Sequence, residues 1–307
     1  MRILLLVNTT ASSVTARKRV VIQKALGSDH QLEVAETSRR GHATRLARAA
    51  AQEGFDVVAV LAGDGTLNEA ANGLAGTDTA LAPLPGGSTN VFARGLGIAN
   101  EAIDATGQLL SSLERQAFKH VGLGRADGRA FLFHTGVGFD AEIVHQVERR
   151  SAKSSFKRYA AHPIFFLATF DTWFRYYDHS RPRFDIHLAD GEVIDDCILA
   201  IVSNTTPYTY FGSRPIVVAP DANLDRPLFL TAFRSRHALT ITRVGVSALA
   251  SGRLLAHHRS VAHRRDLTSF TVVGHGPFPW QADGDYLGEV ERLPFTWMPE
   301  ALRLVVP

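Results

Sequence analysis

Two short segments carry residue types suited to binding phosphate groups. The first, 63–69, reads Gly-Asp-Gly-Thr-Leu-Asn-Glu and follows the apolar run 57–62. Glycines let a backbone approach a phosphate closely, and a helix that begins there offers unbonded N–H groups. Asp64 would repel a bare phosphate, which favours a Mg²⁺ ion that bridges the carboxylate and the phosphates. An Asp-Gly turn that only caps a helix has the same spacing and remains an alternative.

The second segment, 85–90, reads Pro-Gly-Gly-Ser-Thr-Asn and again lies between a strand pattern and a helix pattern. Two adjacent strand–loop–helix units can hold one polyphosphate from two sides. Neither loop contains the Gly-Lys-Ser/Thr of a Walker loop or the Gly-x-Gly-x-x-Gly of a dinucleotide site, so those two classes are not supported.

The first 125 residues predict the elements that position these loops. Four apolar runs are separated by helix patterns, which is typical of a parallel α/β layer. Residues 42–53 have alanines and a leucine at helical spacing, and Gly54 is expected to end that helix. A second short helix is predicted over 91–96. The strands are predicted at 2–8, 31–37, 57–62 and 79–84.

From about residue 115 the pattern becomes that of antiparallel strands. Asp-Gly pairs at 127–128 and 190–191 predict hairpins. Helices are predicted near 139–150 and 156–176. Strands are predicted at 183–189, 192–203, 215–219, 227–233, 268–273 and 302–306.

A chain of 307 residues is long enough for two domains. We expect an α/β domain over 1–125, a β domain over 126–295, and a last strand, about 296–307, that returns to the first domain. The single cysteine excludes an intramolecular disulfide and a Cys-based zinc cluster, and it fits a reducing compartment. No apolar run is long enough to span a bilayer, and the apolar run at the start is too short for a signal peptide, so we expect a cytoplasmic protein.

The net charge of +3 identifies no partner by itself. The stretch 226–265, however, holds eight arginines and no carboxylate. Such a stretch suits phosphates of lipid headgroups or of nucleic acid, and it is equally typical of a solvated surface. We expect no nucleic-acid partner.

The combined motifs resemble those of the diacylglycerol kinase catalytic-domain family, which includes bacterial lipid kinases and the sphingosine and ceramide kinases. The resemblance is dense over 37–98 and resumes later, so nearly the whole chain is covered. The segments that carry it are 54–56, 63–69, 72–74, 85–94, 136–141, 201–204, 219–222 and 281–285.

The resemblance implies an N-terminal Rossmann-like, NAD-kinase-like α/β domain and a C-terminal antiparallel β-sandwich, with ATP bound in the cleft between them. It implies that ATP and Mg²⁺ are bound by the 63–69 loop, with Asp64 as the central carboxylate. Asn8 matches the start of an Asn-Pro-x-x-Gly element in which this chain lacks the proline. The residues implied to contact nucleotide are Asn8, Thr37, Gly63, Asp64, Gly65, Thr66, Leu67, Asn68, Glu69, Gly86, Gly87 and Ser88.

The resemblance also implies a general base, at a position where the family has glutamate and this chain has Asp285. Aspartate is one methylene shorter than glutamate, and Asp283 is a nearby carboxylate able to assist or replace Asp285. The family's accessory Mg²⁺ turn is written here with Arg226 in place of an aspartate. Because a guanidinium cannot ligate a cation, we expect no metal there and a fixed positive charge instead.

The implied activity is an ATP-dependent lipid kinase, most simply one that converts diacylglycerol to phosphatidic acid. Its substrate lies in a membrane, so we expect peripheral contact with the inner face of the membrane; a homodimer is also expected from the family. The predicted docking regions are the 226–265 arginine stretch, a basic cluster at 149–158 and the aromatic residues of 165–177. The competing hypotheses are a soluble-substrate kinase of the NAD-kinase type and a catalytically weak nucleotide- or lipid-binding regulator.

Overall fold

The computed structural model describes residues 1–153, 183–234 and 260–307. These residues form two compact units, one of 1–123 with 299–307 and the other of 124–298. The predicted helix over 156–176, the aromatic residues of 165–177, the basic residues Lys157 and Arg158, and the middle of the 226–265 stretch lie outside the described residues.

The N-terminal unit is a parallel sheet in the order β4-β3-β1-β2, with the end of the last strand parallel to β4. Its strands are β1 (Arg2–Val7), β2 (Gln31–Glu36), β3 (Val57–Ala62) and β4 (Ala80–Pro85). Its helices are α1 (Ala16–Leu26), α2 (His42–Gln52), α3 (Asp64–Leu74), α4 (Val91–Gly95) and α5 (Ala102–Glu114). Every residue of β3 and β4 is buried, as expected for central strands of such a sheet.

The C-terminal unit is rich in antiparallel strands. After β5 (Phe118–Ala126), which begins in the first unit, its elements are β6 (Arg129–Phe131), β7 (His134–Gly138), α6 (Phe139–Lys153), β8 (Phe184–Leu188), β9 (Val193–Cys197), β10 (Leu199–Ser203), β11 (Thr209–Phe211), β12 (Arg214–Ile216), β13 (Leu228–Phe233), β14 (Val261–Leu267), β15 (Ser269–Ala282) and β16 (Asp285–Val305). The strand order is β14-β13-β10-β7-β15, with β8 and the first part of β16 also paired to β15. Both predicted Asp-Gly hairpins are present, β5–β6 and β8–β9.

The predicted fold class, an α/β unit followed by an antiparallel β unit, is confirmed. Several boundaries were wrong. The single strand predicted over 192–203 is two strands, because β9 pairs with β8 whereas β10 pairs with β7 and β13. The strand predicted over 215–219 is only Arg214–Ile216, and β15 and β16 extend far beyond the runs predicted for them.

Helix α1 was missed because its sequence carries little periodic signal. Only Ile22 and Leu26 are buried among its eleven residues, and Val20 and Val21 are exposed. A helix with so narrow an apolar face does not show the repeated spacing that identified α2.

Candidate functional site

The two glycine loops of the N-terminal unit touch each other. Gly63 follows β3 and precedes α3, and Gly87 follows β4. A Cβ atom built on Gly87 would lie 2.7 Å from the Cα of Gly63, closer than non-bonded carbon atoms approach. Glycine is therefore required at 87 by close approach of two backbones, and the loops form one continuous surface.

Asp64 ties the first loop to the second. Its carboxylate accepts hydrogen bonds from the backbone N–H groups of Val91 (2.9 Å) and Phe92 (3.2 Å), at the start of α4. Asp64 therefore does act as a helix cap, the alternative considered from the sequence. The helix that it caps is α4, however, and not α3, in which Asp64 itself lies. A carboxylate has about four lone-pair sites, so these two bonds do not exclude a metal ligand role.

Glu69 makes the corresponding link on the other side of the loop. Its carboxylate accepts from the N–H groups of Gly41 (2.7 Å) and Ala43 (3.2 Å), at the start of α2. The two acidic residues of the 63–69 segment therefore hold the starts of two neighbouring helices. Negative charge at a helix start is favoured by the unpaired N–H groups and the helix dipole.

The loops surround a cavity of about 310 Å³. A third wall comes from residues 8–13: the Asn8 Nδ2 donates to Thr66 Oγ1 (3.0 Å), and the Ser13 hydroxyl donates to the Gly87 carbonyl (3.1 Å). The predicted site residues that line the cavity are Asn8, Gly63, Asp64, Gly65, Thr66, Gly87 and Ser88. The predicted residues outside its lining are Thr37, Leu67, Asn68, Glu69 and Gly86.

Four lining residues were not among the implied nucleotide contacts, namely Thr10, Ala11, Ser12 and Thr89. Three of them follow Asn8, so the departure of this segment from the Asn-Pro-x-x-Gly pattern hid them. Asn8 Oδ1 accepts from both the N–H and the hydroxyl of Thr10, which holds this loop in a tight turn without a proline.

The charge of the cavity lining is negative. Asp64 is the one ionisable side chain among the lining residues, and the remainder are hydroxyls, an amide, an alanine and glycines. A polyphosphate in this cavity would meet hydroxyl and N–H donors but an unfavourable carboxylate, unless a cation lies between them. Within the described ranges no group of three or more His, Cys, Asp or Glu side chains is arranged to hold a metal ion.

In the C-terminal unit, the predicted aspartates lie on the hairpin turn between β15 and β16. Ala282 pairs with Asp285, and the two turn residues Asp283 and Gly284 have positive φ angles of 49° and 83°. This is the conformation that Asp-Gly favours in a two-residue hairpin loop. Asp285 is thereby placed at the first position of β16.

Asp283 and Asp285 have different surroundings. Asp283 is 4% exposed, and its carboxylate accepts from the N–H groups of Leu132 (2.6 Å), Phe133 (2.9 Å) and His134 (3.1 Å). These three bonds commit the Asp283 carboxylate to the backbone, which argues against its expected role as a base that assists or replaces Asp285. Asp285 is about 25% exposed and lies 3.5 Å from the guanidinium of Arg129.

A buried polar cluster lies beside this turn. Asp140 accepts from the Tyr208 hydroxyl (2.6 Å) and from Gln281 Nε2 (2.8 Å). Burial raises the pKa of Asp140, and burial together with the Asp140 carboxylate raises the pKa of Tyr208 well above its usual value. Burial alone lowers the pKa of His134 to about 3, so this ring is neutral at physiological pH. Tyr208 has no neighbouring motif and was not found from the sequence.

In the described parts of the arginine-rich stretch, the arginines are paired with carboxylates. Arg226 makes a two-pronged ion pair with Asp266 at 2.9 and 2.5 Å, so the positive charge expected at this position is paired with a carboxylate. The other described arginines of the stretch also pair with carboxylates from elsewhere in the chain. These pairs are Arg234 with Asp195, Arg264 with Glu192, and Arg265 with Asp221.

Comparison with known proteins identifies the N-terminal part. Residues 2–121 match the family model of the diacylglycerol kinase catalytic domain. This part of the chain belongs to the diacylglycerol kinase family. The family predicted from the motifs is confirmed, and membership of a kinase family supports a phosphotransferase.

Relatives extend the similarity beyond the domain. A diacylglycerol kinase of Bacillus subtilis is 28% identical over 247 residues, which cover 78% of this chain and 75% of the relative. One from Staphylococcus carnosus is 24% identical over 263 residues, covering 83% of this chain and 78% of the relative.

A solved structure of a diacylglycerol kinase from Bacillus anthracis shares the fold over all of this chain and 97% of its own, with a TM-score of 0.70 at 20% identity. In the described ranges, no helix combines the length and the apolar character needed to cross a membrane.

Proposed function

We propose that this protein is an ATP-dependent lipid kinase that transfers the γ-phosphoryl group of ATP to a lipid hydroxyl, with diacylglycerol as the first acceptor to test. The observation that carries the proposal is the cavity formed by the two touching glycine loops in a domain of the diacylglycerol kinase family. Relatives named as diacylglycerol kinases support a lipid acceptor.

The cavity fits the phosphates of a nucleotide. Its glycines let the two loop backbones approach each other closely, and its hydroxyls and loop N–H groups supply donors for phosphate oxygens. Thr66 and Ser88, on opposite loops, each bring a hydroxyl to the lining. We infer that these two side chains orient the nucleotide from its two sides.

The donor set also fits Mg²⁺. The cavity lining has one carboxylate, Asp64, and no cationic side chain, so an anionic nucleotide needs a cation to bind beside it. Carboxylate oxygens are ligands that Mg²⁺ prefers, usually with water and phosphate oxygens completing its shell. When bound, the ion would neutralise charge on the phosphates. Asp64 would hold it, while its bonds to Val91 and Phe92 keep the carboxylate in place.

Asp285 is the proposed general base. The lipid hydroxyl oxygen attacks the γ-phosphorus, a new O–P bond forms, and the bond from that phosphorus to the bridging β–γ oxygen breaks to release ADP. The hydroxyl proton passes to the Asp285 carboxylate. Asp285 is suited to this role because it is partly exposed, whereas Asp283 is buried against three N–H groups.

The acceptor is expected to be presented by a membrane, which the protein would contact peripherally. The described arginines of the 226–265 stretch are paired, so they contribute less to such contact than their number implies.

Transfer of label from [γ-³²P]ATP tests the proposal. The wild type is incubated with Mg²⁺ and mixed micelles of diacylglycerol, ceramide, sphingosine or monoacylglycerol, with NAD as a soluble acceptor. We expect label in a lipid, lost in Asp64→Ala and kept in Asp104→Asn. Asp104 is the matched control because it is also an acidic residue in the first turn of a helix but is exposed. Label in NAD alone, or in no acceptor, would contradict the proposal.

A further inference from the structure

Asp140 occupies a position that the proposed reaction does not use. It is 4% exposed, lies in the first turn of α6, and accepts from both Tyr208 and Gln281. The chain makes room for it: a Cβ atom on Gly136 would lie 1.6 Å from Asp140 Oδ2, so only glycine fits there. Burial of a carboxylate is unfavourable unless the group is hydrogen-bonded, and here it also requires glycine at position 136. Such a buried carboxylate is expected to have a specific role.

Gln281 connects Asp140 to the 283–285 turn between β15 and β16. It is fully buried, its Nε2 donates to Asp140, and its Oε1 accepts from the N–H of Gly284 at 2.9 Å. The two ends of a glutamine amide have similar shape, so its partners decide its orientation. Because a carboxylate only accepts, Asp140 directs the NH₂ end toward itself and the oxygen toward Gly284.

The same helix holds the other side of Asp285. Glu148 Oε1 accepts from the N–H of Tyr286 at 3.0 Å, and the His145 ring stacks on the Tyr286 ring with centroids 4.2 Å apart. Asp285 therefore lies between Gly284 and Tyr286, and both neighbours are connected to α6. The Tyr286 N–H is bonded directly to Glu148, whereas the Gly284 N–H is bonded to Gln281, which is bonded in turn to Asp140.

We propose that Asp140 is a positioning residue: by orienting Gln281 it fixes the backbone of Gly284 and so the place of the Asp285 carboxylate. The inference rests on the proposed role of Asp285 as general base. It assigns to Asp140 no contact with substrate, and it makes α6 the support on which the 283–285 turn is held.

Asp140→Asn is the direct perturbation. An asparagine has one acceptor oxygen and a donor NH₂, so it cannot accept from Tyr208 and Gln281 through different atoms. Gln281 then loses its fixed orientation, and the turn shifts. A displacement of about 1 Å in a reacting group can cost ~10²-fold in rate. We expect kcat to fall roughly 10- to 100-fold, with the KM for ATP unchanged.

A reciprocal exchange provides the rescue. In Asp140→Asn with Gln281→Glu, the asparagine oxygen accepts from Tyr208 and its NH₂ donates to the glutamate, whose other oxygen accepts from Gly284. Every donor again faces an acceptor, and the total charge is unchanged. We expect kcat to return to within a few-fold of wild type. If Asp140→Asn alone does not fold, this double variant still decides: a folded protein with lost kcat overturns the inference.

Two further measurements separate positioning from general weakening of the fold. In an Asp285→Asn background, Asp140→Asn should cause no additional loss of kcat, because its effect passes through Asp285. A full additional loss overturns the inference, as does an unchanged kcat in the single variant. Hydrogen exchange of the Gly284 amide should be slow in wild type and in the double variant and fast in Asp140→Asn. This readout needs no activity, so it decides the contact even if the wild type phosphorylates no lipid and the proposed function fails.

Discussion

The two aspartates of the 283–285 turn should respond to amidation in opposite ways. Asp283→Asn is expected to weaken the fold, and Asp285→Asn is expected to lower kcat strongly with little effect on stability. The reason is that Asp283 bonds three backbone N–H groups in a buried position, whereas Asp285 has a partly exposed carboxylate with Arg129 at 3.5 Å.

The magnitudes follow from the contacts. In Asp283→Asn, one oxygen can still accept from two N–H groups, but the new NH₂ faces the third as donor to donor. A buried N–H left without an acceptor costs about 1–3 kcal/mol, and the remaining bonds lose the strength that ionic charge gives them. We expect a loss of roughly 2–4 kcal/mol in the free energy of unfolding. A part-exposed ion pair such as that of Asp285 contributes less than about 1 kcal/mol.

Urea denaturation of the purified variants measures both values. Asp127→Asn is the matched control, since Asp127 also begins an Asp-Gly hairpin turn with a positive φ of 45° but is exposed. We expect its unfolding midpoint to equal that of wild type. The reasoning is refuted if Asp283→Asn is as stable as this control, or if Asp285→Asn loses as much stability as Asp283→Asn.

Three other predictions concern groups outside the turn. Gly87→Ala should weaken ATP binding, measured by calorimetry, at least 10-fold, because the new Cβ meets the backbone of Gly63. Gly107→Ala, in open space on a helix, should leave ATP binding unchanged. Equal ATP affinities of the two variants would contradict this prediction. Burial raises the pKa of the Cys197 thiol to about 12. Because the thiolate is the reactive form, a thiol reagent at pH 8 should label Cys197 only when urea unfolds the protein. Rapid labelling of the folded protein would contradict this prediction. The pKa of His134 is lowered from 6.5 to about 3, so the unfolded chain binds a proton that the folded chain does not. The free energy of unfolding should therefore fall as pH drops from about 6.5 toward 3, and His134→Gln should show a smaller fall in urea midpoints over that range.

The N-terminal sheet and its two loops were predictable because their signals are local. The wholly apolar run 57–62 identifies a central strand, and glycines directly after two strands identify the loops. What the loop carboxylates bond to was not predictable. Asp64 caps a helix 27 residues later and Glu69 caps one 26 residues earlier, contacts that exist only once the sheet has formed.

The C-terminal unit shows the same limit more strongly. The Asp-Gly hairpins follow from local turn chemistry, but Asp283 bonds backbone groups about 150 residues away. The arginine stretch shows the same limit: its own sequence lacks carboxylates, yet Arg226 and Arg264 pair with carboxylates 40 and 72 residues away. Local composition does not report charge pairs made by folding.

Phosphoryl transfer to diacylglycerol is tested most directly by the mass of the lipid product. The wild-type protein is incubated with ATP, Mg²⁺ and diacylglycerol micelles, and the lipid fraction is examined by mass spectrometry beside a reaction with Asp285→Asn. The expected result is diacylglycerol that has gained one phosphoryl group in the wild-type reaction and not in the variant. Unmodified diacylglycerol in both reactions, under conditions in which the folded protein binds ATP, would contradict the assignment of diacylglycerol as acceptor.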